Sequence, residues 1–241
     1  MQAMILAAGL GTRLKPVTDY TPKALVKLNG VTLLEIAIRK LIDNNFRKII
    51  INVHHFAGQI KEFLETNTFA ADIIISDESN LLLDTGGGIK FAKKYFDKTP
   101  ILIHNVDIVS DLDLKDLYQY HISDDAIASL CVSKRTSNRY LLFNNENVLC
   151  GWQDVKKEEK IIVRNEPDLE QFAFNGIQVL SPEIINLFPD ENVFSVIKAY
   201  LKIAENDDIN AFIANDINWI DVGKTDSLMK AEELIKNLHL I

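Results

Sequence analysis

The run Gln2–Pro16 reads QAMILAAGLGTRLKP. Its first part, Gln2–Ala7, is a continuous apolar stretch, as expected of a strand covered on both faces. It passes directly into Gly9-Leu10-Gly11, and Arg13 follows at once. Glycines in such a loop let the backbone approach a bulky ligand and turn N–H groups toward anionic oxygens. Arg13 adds a planar fork suited to phosphate. A tight strand-to-helix turn would explain the two glycines equally well. The dinucleotide fingerprint does not fit, because Leu14 stands where a third small residue is needed and Pro16 and Pro22 demand an extended loop. Gly223-Lys224-Thr225 hints at a Walker loop, but Asn218 occupies the place of its first glycine.

Working outward, short apolar runs alternate with helical spacing. Lys48–Val53, Asp72–Ser76 and Ile101–His104 read as strands. Leu34, Ala37, Ile38 and Leu41 mark a helix, as do Ile60, Phe63 and Leu64, and Ile89, Ala92 and Phe96. This alternation predicts an α/β fold around a parallel sheet with right-handed crossovers. The second half reads differently. Ala126–Ser133, Tyr140–Phe143, Val148–Trp152, Lys160–Val163 and Phe172–Leu180 read as strands with short connections. Asn144–Asn147 and Lys156–Glu159 read as hairpin turns. Ser181-Pro182-Glu183 predicts a helix start, Val193–Glu205 a helix and Trp219–Val222 a short strand. A last helix, capped by Thr225, runs through Leu228, Ala231, Leu234, Ile235 and Leu238.

The 241 residues suit one α/β domain, and 47% hydrophobic with 25% charged residues is globular usage. The net charge of −8 argues against nucleic-acid or anionic-membrane binding. No stretch has the length and apolarity of a membrane span, and no secretory leader is recognisable, so a cytoplasmic location is expected. Cys131 and Cys150 read as reduced core thiols. Oligomeric state is not legible.

Five further blocks carry chemistry. Thr21-Pro22-Lys23-Ala24-Leu25-Val26 continues the glycine loop, and Lys23 can face the same ligand as Arg13. Asp84-Thr85-Gly86-Gly87-Gly88 opens a helix, with amides expected to face the loop mouth. Asp107 follows the strand Ile101–His104, at the end where ligands gather in open sheets, and Asp221 closes Trp219-Ile220-Asp221. Two such carboxylates beside a phosphate loop suit Mg²⁺, which takes one or two carboxylates plus phosphate oxygens and water. Phe174-Asn175-Gly176 offers either an amide for sugar hydroxyls or a β-bulge at Gly176. His54 and His55 read as loop packing, His104 as a core residue, and Trp152 as a core residue or part of a domain wall.

The blocks Ile5–Arg13 and Thr21-Pro22-Lys23, at their spacing, resemble the signature of the sugar-1-phosphate nucleotidyltransferases. The resemblance spans essentially the whole chain. It implies a Rossmann-like three-layer fold with a mostly parallel central sheet and a smaller β-rich sugar-binding portion. Residues 1–125 would form the nucleotide-binding half and 126–241 the sugar-binding half. The implied nucleotide contacts are Ala8, Gly9, Gly11, Thr12, Arg13, Lys23, Asp84, Gly87 and Asn105. Arg13, Lys23 and Asp107 would carry catalysis, Asp107 and Asp221 would hold Mg²⁺, and Asn175 and Gly176 would meet the sugar. Asp84 stands where relatives often carry Glu or Gln, and Val106 replaces a glycine before the metal-binding Asp.

The implied reaction joins a nucleoside triphosphate to a sugar 1-phosphate and releases pyrophosphate. The resemblance favours UTP with N-acetylmuramate 1-phosphate. Alternatives are a mannose-1-phosphate guanylyltransferase or a phosphocholine cytidylyltransferase. From another class, a catalytically silent nucleotide-sugar-binding regulator would keep the fold and lose the carboxylates and cations, all of which are present here.

Overall fold

The computed structural model describes residues 1–223 and 225–237. In chain order the elements are β1 (Gln2–Leu6), β2 (Lys27–Leu28), β3 (Val31–Thr32), α1 (Leu33–Asp43), β4 (Lys48–Val53), α2 (Ala57–Thr66), β5 (Asp72–Asp77), α3 (Asp84–Ala92), β6 (Ile101–Asn105), β7 (Ile108–Ser110), α4 (Leu114–Ser123), β8 (Ala128–Ser133), β9 (Arg139–Phe143), β10 (Leu149–Asp154), β11 (Glu159–Ile162), β12 (Glu170–Leu180), α5 (Val196–Ile203), β13 (Ile209–Ile213), β14 (Trp219–Asp221) and α6 (Thr225–Asn237).

The main sheet runs β11-β10-β9-β12-β6-β1-β4-β5, with β8 joined to β12 and β13 joined to β8. Strands β6, β1, β4 and β5 are mutually parallel, with Gln2 level with Lys48 and Ile101. Their carboxyl ends therefore open on one edge. Alternate residues feed two cores. Ala3, Ile5, Ile49, Ile51 and Leu102 face one, packed by α1, α4 and α6. Met4, Ile50, Ile101 and Ile103 face the other, packed by α3 and α5. Burial on both faces is why these strands read as unbroken apolar runs.

Strand β12 joins the two regions. Its far end, Ile177–Leu180, lies antiparallel to β6, and its near end, Glu170–Phe172, lies antiparallel to β9. Between them the register to β8 shifts from Phe174 to Gln178. Gly176, at φ +76°, sits in that bulge, and a Cβ there would lie 2.9 Å from the Asn105 amide.

The expected strands and the first three helices are present within a residue or two, except that α3 stops at Ala92 before a single 3₁₀ turn. The helix expected over Val193–Glu205 is shorter, because Asn192–Ser195 is drawn across the start of α3. There the Phe194 N–H donates to the Leu83 carbonyl. Ser181-Pro182 opens a 3₁₀ turn, and the Ser181 hydroxyl pairs with His121 (3.1 Å) instead of capping. Elements β2, β3, β7, α4 and β13 escaped the sequence reading. Leu238, expected on the apolar face of α6, lies outside the described residues, as does the side chain of Thr225. Among the described residues no helix is long and apolar enough to cross a membrane.

Candidate active site

The glycine loop leaves the carboxyl end of β1 held from below. The Ala7 N–H donates to the Asn52 Oδ1 at 2.7 Å, and the Asn52 amide donates to the Glu78 Oε1 at 2.6 Å. Glu78 is 4% exposed, and its second oxygen has no partner among the described residues. Burial pushes its carboxyl up to about 7. The two loop glycines serve different ends. A Cβ on Gly9 would meet nothing, so Gly9 leaves space beside the cavity. Gly11 sits at φ +66° and would press a Cβ on Thr18 and Lys23. Thr12 and Arg13 follow in one 3₁₀ turn anchored by buried Leu14.

Pro22 leads in extended conformation to Lys23, whose ammonium is buried against the Asp107 carboxylate. Asp107 lies between β6 and β7. Strand β14 pairs antiparallel with β7, setting Asp221 opposite Ile108, and the Val222 N–H donates to the Asp107 carbonyl at 2.8 Å. The two aspartates expected to share an ion are thus on adjacent chain segments. Burial raises the Asp221 carboxyl first, and the Asp107 charge raises it further against the pull of Lys23 and Arg13. Arg13 approaches Asp221 at 3.8 Å. A Cβ on Gly223 would lie 2.5 Å from both the Arg13 guanidinium and the Asp221 carboxylate, so a larger residue there would displace them. Among the described residues no group of three or more His, Cys, Asp or Glu forms a metal cage. Two carboxylates open to phosphate oxygens still fit Mg²⁺.

Two cavities meet at this point. The smaller, about 460 Å³, lies between Ala8-Gly9, Asn52, Asp84-Thr85 and Asn105–Asp107. The larger, about 1060 Å³, extends from Arg13, Asp107 and Asp221 past Arg135 and Gly176 to the hairpins of β9–β11. Asn105 and Asp107 line both.

Two expectations need correction. Gly87 does not reach the smaller cavity. The Gly86 and Gly87 amides donate to the Phe194 carbonyl (3.0 and 3.3 Å), so they are not free for a ligand. A Cβ on Gly87 would lie 2.1 Å from the Asn192 carbonyl oxygen, and one on Gly86 would strike the Phe194 ring. Gly86 and Gly87 therefore let segment 192–194 pack on α3, while Gly88 clears the Asn52 amide. Asp84 does border the cavity, at φ +61°, with its carboxylate accepting from the Thr85 N–H. Asn175 is the second case. Its side chain is fully buried and accepts from the Ser133 hydroxyl (3.0 Å) and Arg135 Nε (3.1 Å). The bulge at Gly176 turns the amide inward, and Gly176 alone of the pair lines the cavity.

Arg135 went unnoticed in the sequence. Its guanidinium donates to the Phe174 carbonyl (2.7 Å) and stacks 3.9 Å from the Trp219 ring, while the Trp219 indole donates to the Asn175 carbonyl. Its position just past the end of a buried strand was the available signal. His104 is buried, donates to the Asn105 carbonyl, and is pushed down to about 4, so it is neutral. His54 packs on the Glu78 carbonyl at 2.8 Å. Burial lifts the Cys131 thiol to about 12.

The family described as nucleotidyl transferase matches residues 2–237. This chain belongs to that family. The nucleotidyltransferase is 28% identical over 238 residues to the N-acetylmuramate alpha-1-phosphate uridylyltransferase of Caulobacter vibrioides, covering 95% of each chain. It is 25% identical to the mannose-1-phosphate guanylyltransferase catalytic subunit beta of Drosophila melanogaster, covering 92% of this chain but 59% of that one. Among solved structures, HddC from Yersinia pseudotuberculosis superimposes with a TM-score of 0.78 at 25% identity, covering 97% of this chain and 99% of that one. The inositol-1-phosphate CTP transferase from T. maritima has a TM-score of 0.80 at 17% identity, covering 98% and 95%, and shares the fold. The expected three-layer α/β enzyme of the sugar-1-phosphate nucleotidyltransferase family is therefore what the chain forms.

Proposed function

We propose that this nucleotidyltransferase is a Mg²⁺-dependent uridylyltransferase acting on N-acetylmuramate 1-phosphate. The observation that carries the reading is the junction at Asp107. A cavity behind the glycine loop and a larger one beneath the hairpins meet beside Lys23, Asp107 and Asp221. The end-to-end likeness to the Caulobacter uridylyltransferase supports the choice of substrates.

The nucleotide would occupy the smaller cavity, with Gly9 leaving room for it and Arg13 and Lys23 facing its phosphates. The acceptor would enter the larger cavity phosphate first. An oxygen of its phosphate attacks the α-phosphorus, and pyrophosphate leaves. That oxygen is already anionic near neutral pH, so no general base is needed. The difficulty is to bring two polyanions together, and the chain meets it by positioning and charge. Asp107 and Asp221 would hold the cation. Bound there, Mg²⁺ would neutralise and align phosphate oxygens. Lys23 is buried against Asp107, which fixes its ammonium at the junction before any phosphate arrives. Asn175 holds Arg135 toward the same point from the acceptor side.

The test is pyrophosphate release with Mg²⁺, each of four nucleoside triphosphates, and N-acetylmuramate 1-phosphate, mannose 1-phosphate or phosphocholine. UTP with N-acetylmuramate 1-phosphate is expected to be the best pair, and EDTA to abolish release. A better rate with GTP and mannose 1-phosphate, or with CTP and phosphocholine, overturns the substrate assignment. Silence with every pair overturns the enzyme.

A further inference from the structure

The far wall of the larger cavity carries more positive charge than a phosphate at its other end explains. On β9 and β10, Arg139, Leu141, Trp152 and Asp154 share the cavity face, with Arg139 opposite Asp154 and Leu141 opposite Trp152. Leu141, Trp152 and Phe174 make an apolar floor of the kind a sugar ring stacks on. Above it the rim is basic. Asp154, 4% exposed, accepts from the Lys156 and Lys157 amides (3.1 and 3.2 Å) and from Arg139 Nε (3.2 Å). One buried carboxylate thus fixes the hairpin turn that presents both lysines. It balances one positive charge of the three. No ion pair of Lys156 or Lys157 is found among the described residues. Arg139, Lys156 and Lys157 are exposed at the rim and line the cavity, whereas Glu158 and Glu159 of the same turn do not line it, so the surplus is local in a chain of net charge −8.

The acceptor's phosphate does not account for it. That phosphate belongs beside Asp107 and Asp221, where Arg13 and Arg135 already stand. Strands β9 and β10 lie two and three places from β6 in the sheet, so their side chains are offset by about 10 and 14 Å in ladder spacings. That is the span of a sugar ring with a substituent.

Resting on the proposed function above, we propose that Arg139, Lys156 and Lys157 form a carboxylate subsite, which selects acceptors bearing an acid on a ring substituent besides the anomeric phosphate. The apolar floor takes the ring, the junction takes the phosphate, and the rim takes the acid. Arg139 supplies geometry, because Asp154 sets its plane, and the lysines supply charge.

Steady-state kinetics and calorimetric binding with four acceptors test this. They are N-acetylmuramate 1-phosphate, its methyl ester, N-acetylglucosamine 1-phosphate and glucose 1,6-bisphosphate. The acid is expected to exceed its ester and the neutral sugar by about tenfold or more in kcat/KM and in Kd. Arg139→Gln and the double variant Lys156→Gln/Lys157→Gln should bring that ratio toward one, acting on KM rather than kcat. Equal use of acid and ester overturns the subsite, as does an equal loss on every acceptor in the variants. A preference for the bisphosphate replaces the carboxylate by a second phosphate and also overturns it. Pyrophosphate from neutral acceptors at full rate leaves the transferase reading intact while this inference falls. If no acceptor reacts, the binding ratio of acid to ester still decides the subsite.

Discussion

In the proposed reaction the two sides of the junction would handle anions by different means. On the parallel side, backbone shape does the work: Gly9 leaves space, Gly11 turns at positive φ, and Pro22 delivers Lys23. On the antiparallel side, side chains on hairpins do the work: Arg139, Tyr140, Leu141, Trp152 and Asp154 line the cavity while Gln153 does not. A backbone-built site tolerates few residue types at each place, whereas a hairpin wall can be re-lettered without disturbing its ladder. Nucleotide handling should therefore be rigid and acceptor handling adjustable.

The largest test of that contrast is at the junction both sides share. Asp107→Asn or Asp221→Asn is expected to lower kcat by about 100- to 1,000-fold, with the melting temperature largely kept. Normal turnover in either would remove the shared point. Next comes Arg135→Gln, where a stacked, twice-bonded guanidinium is lost. A fall of about 10- to 100-fold in kcat/KM for the acceptor is expected, with nucleotide KM nearly unchanged. An equal rise in nucleotide KM would mean that the two sides are not distinct. Gly87→Ala sharpens the backbone side. The Asn192 carbonyl stands 2.1 Å from the added carbon, so a stability loss of about 1–3 kcal/mol is expected by thermal or urea unfolding, with little change in the activity of the folded fraction.

The smallest effect is one of pH. The Glu78 carboxyl is raised from 4.5 to about 7 in the folded chain. Between those values the folded state holds the proton and the unfolded state does not, so stability falls as pH rises from about 4.5 to 7 and then levels off. The full swing is at most about 3 kcal/mol. Glu78→Gln removes it, so the variant should gain on the parent in melting temperature at pH 8 relative to pH 5. Parallel curves would show that the Asn52 bond keeps Glu78 ionised.

The same contrast explains what could be read in advance. Strands β1, β4 and β6 are buried on both faces and the edge strand β5 is half-buried, so hydrophobicity alone marks them, and the loop after β1 has a fixed lettering. Gly86 and Gly87 carry the lettering of a ligand-facing turn, yet their role is to clear Phe194 and Asn192, contacts made by residues distant in sequence. Asn175 failed for a similar reason, since only the register shift in β12 decides which way its amide points. Arg135, Lys156 and Lys157 look like surface charges until the hairpins fold them over one cavity. Helix α4 was missed because its buried side mixes Leu114 and Leu117 with Tyr118 and His121, which blurs the helical period.

Strand β14 crosses back from the end of the antiparallel region to ladder onto β7, and this is how Asp221 reaches Asp107. The reacting centre therefore cannot exist in a nascent chain until synthesis has passed residue 221. A growing polypeptide with its glycine loop already shaped would hold Asp107 without Asp221, so under the proposed roles of that pair it would lack half of its cation site.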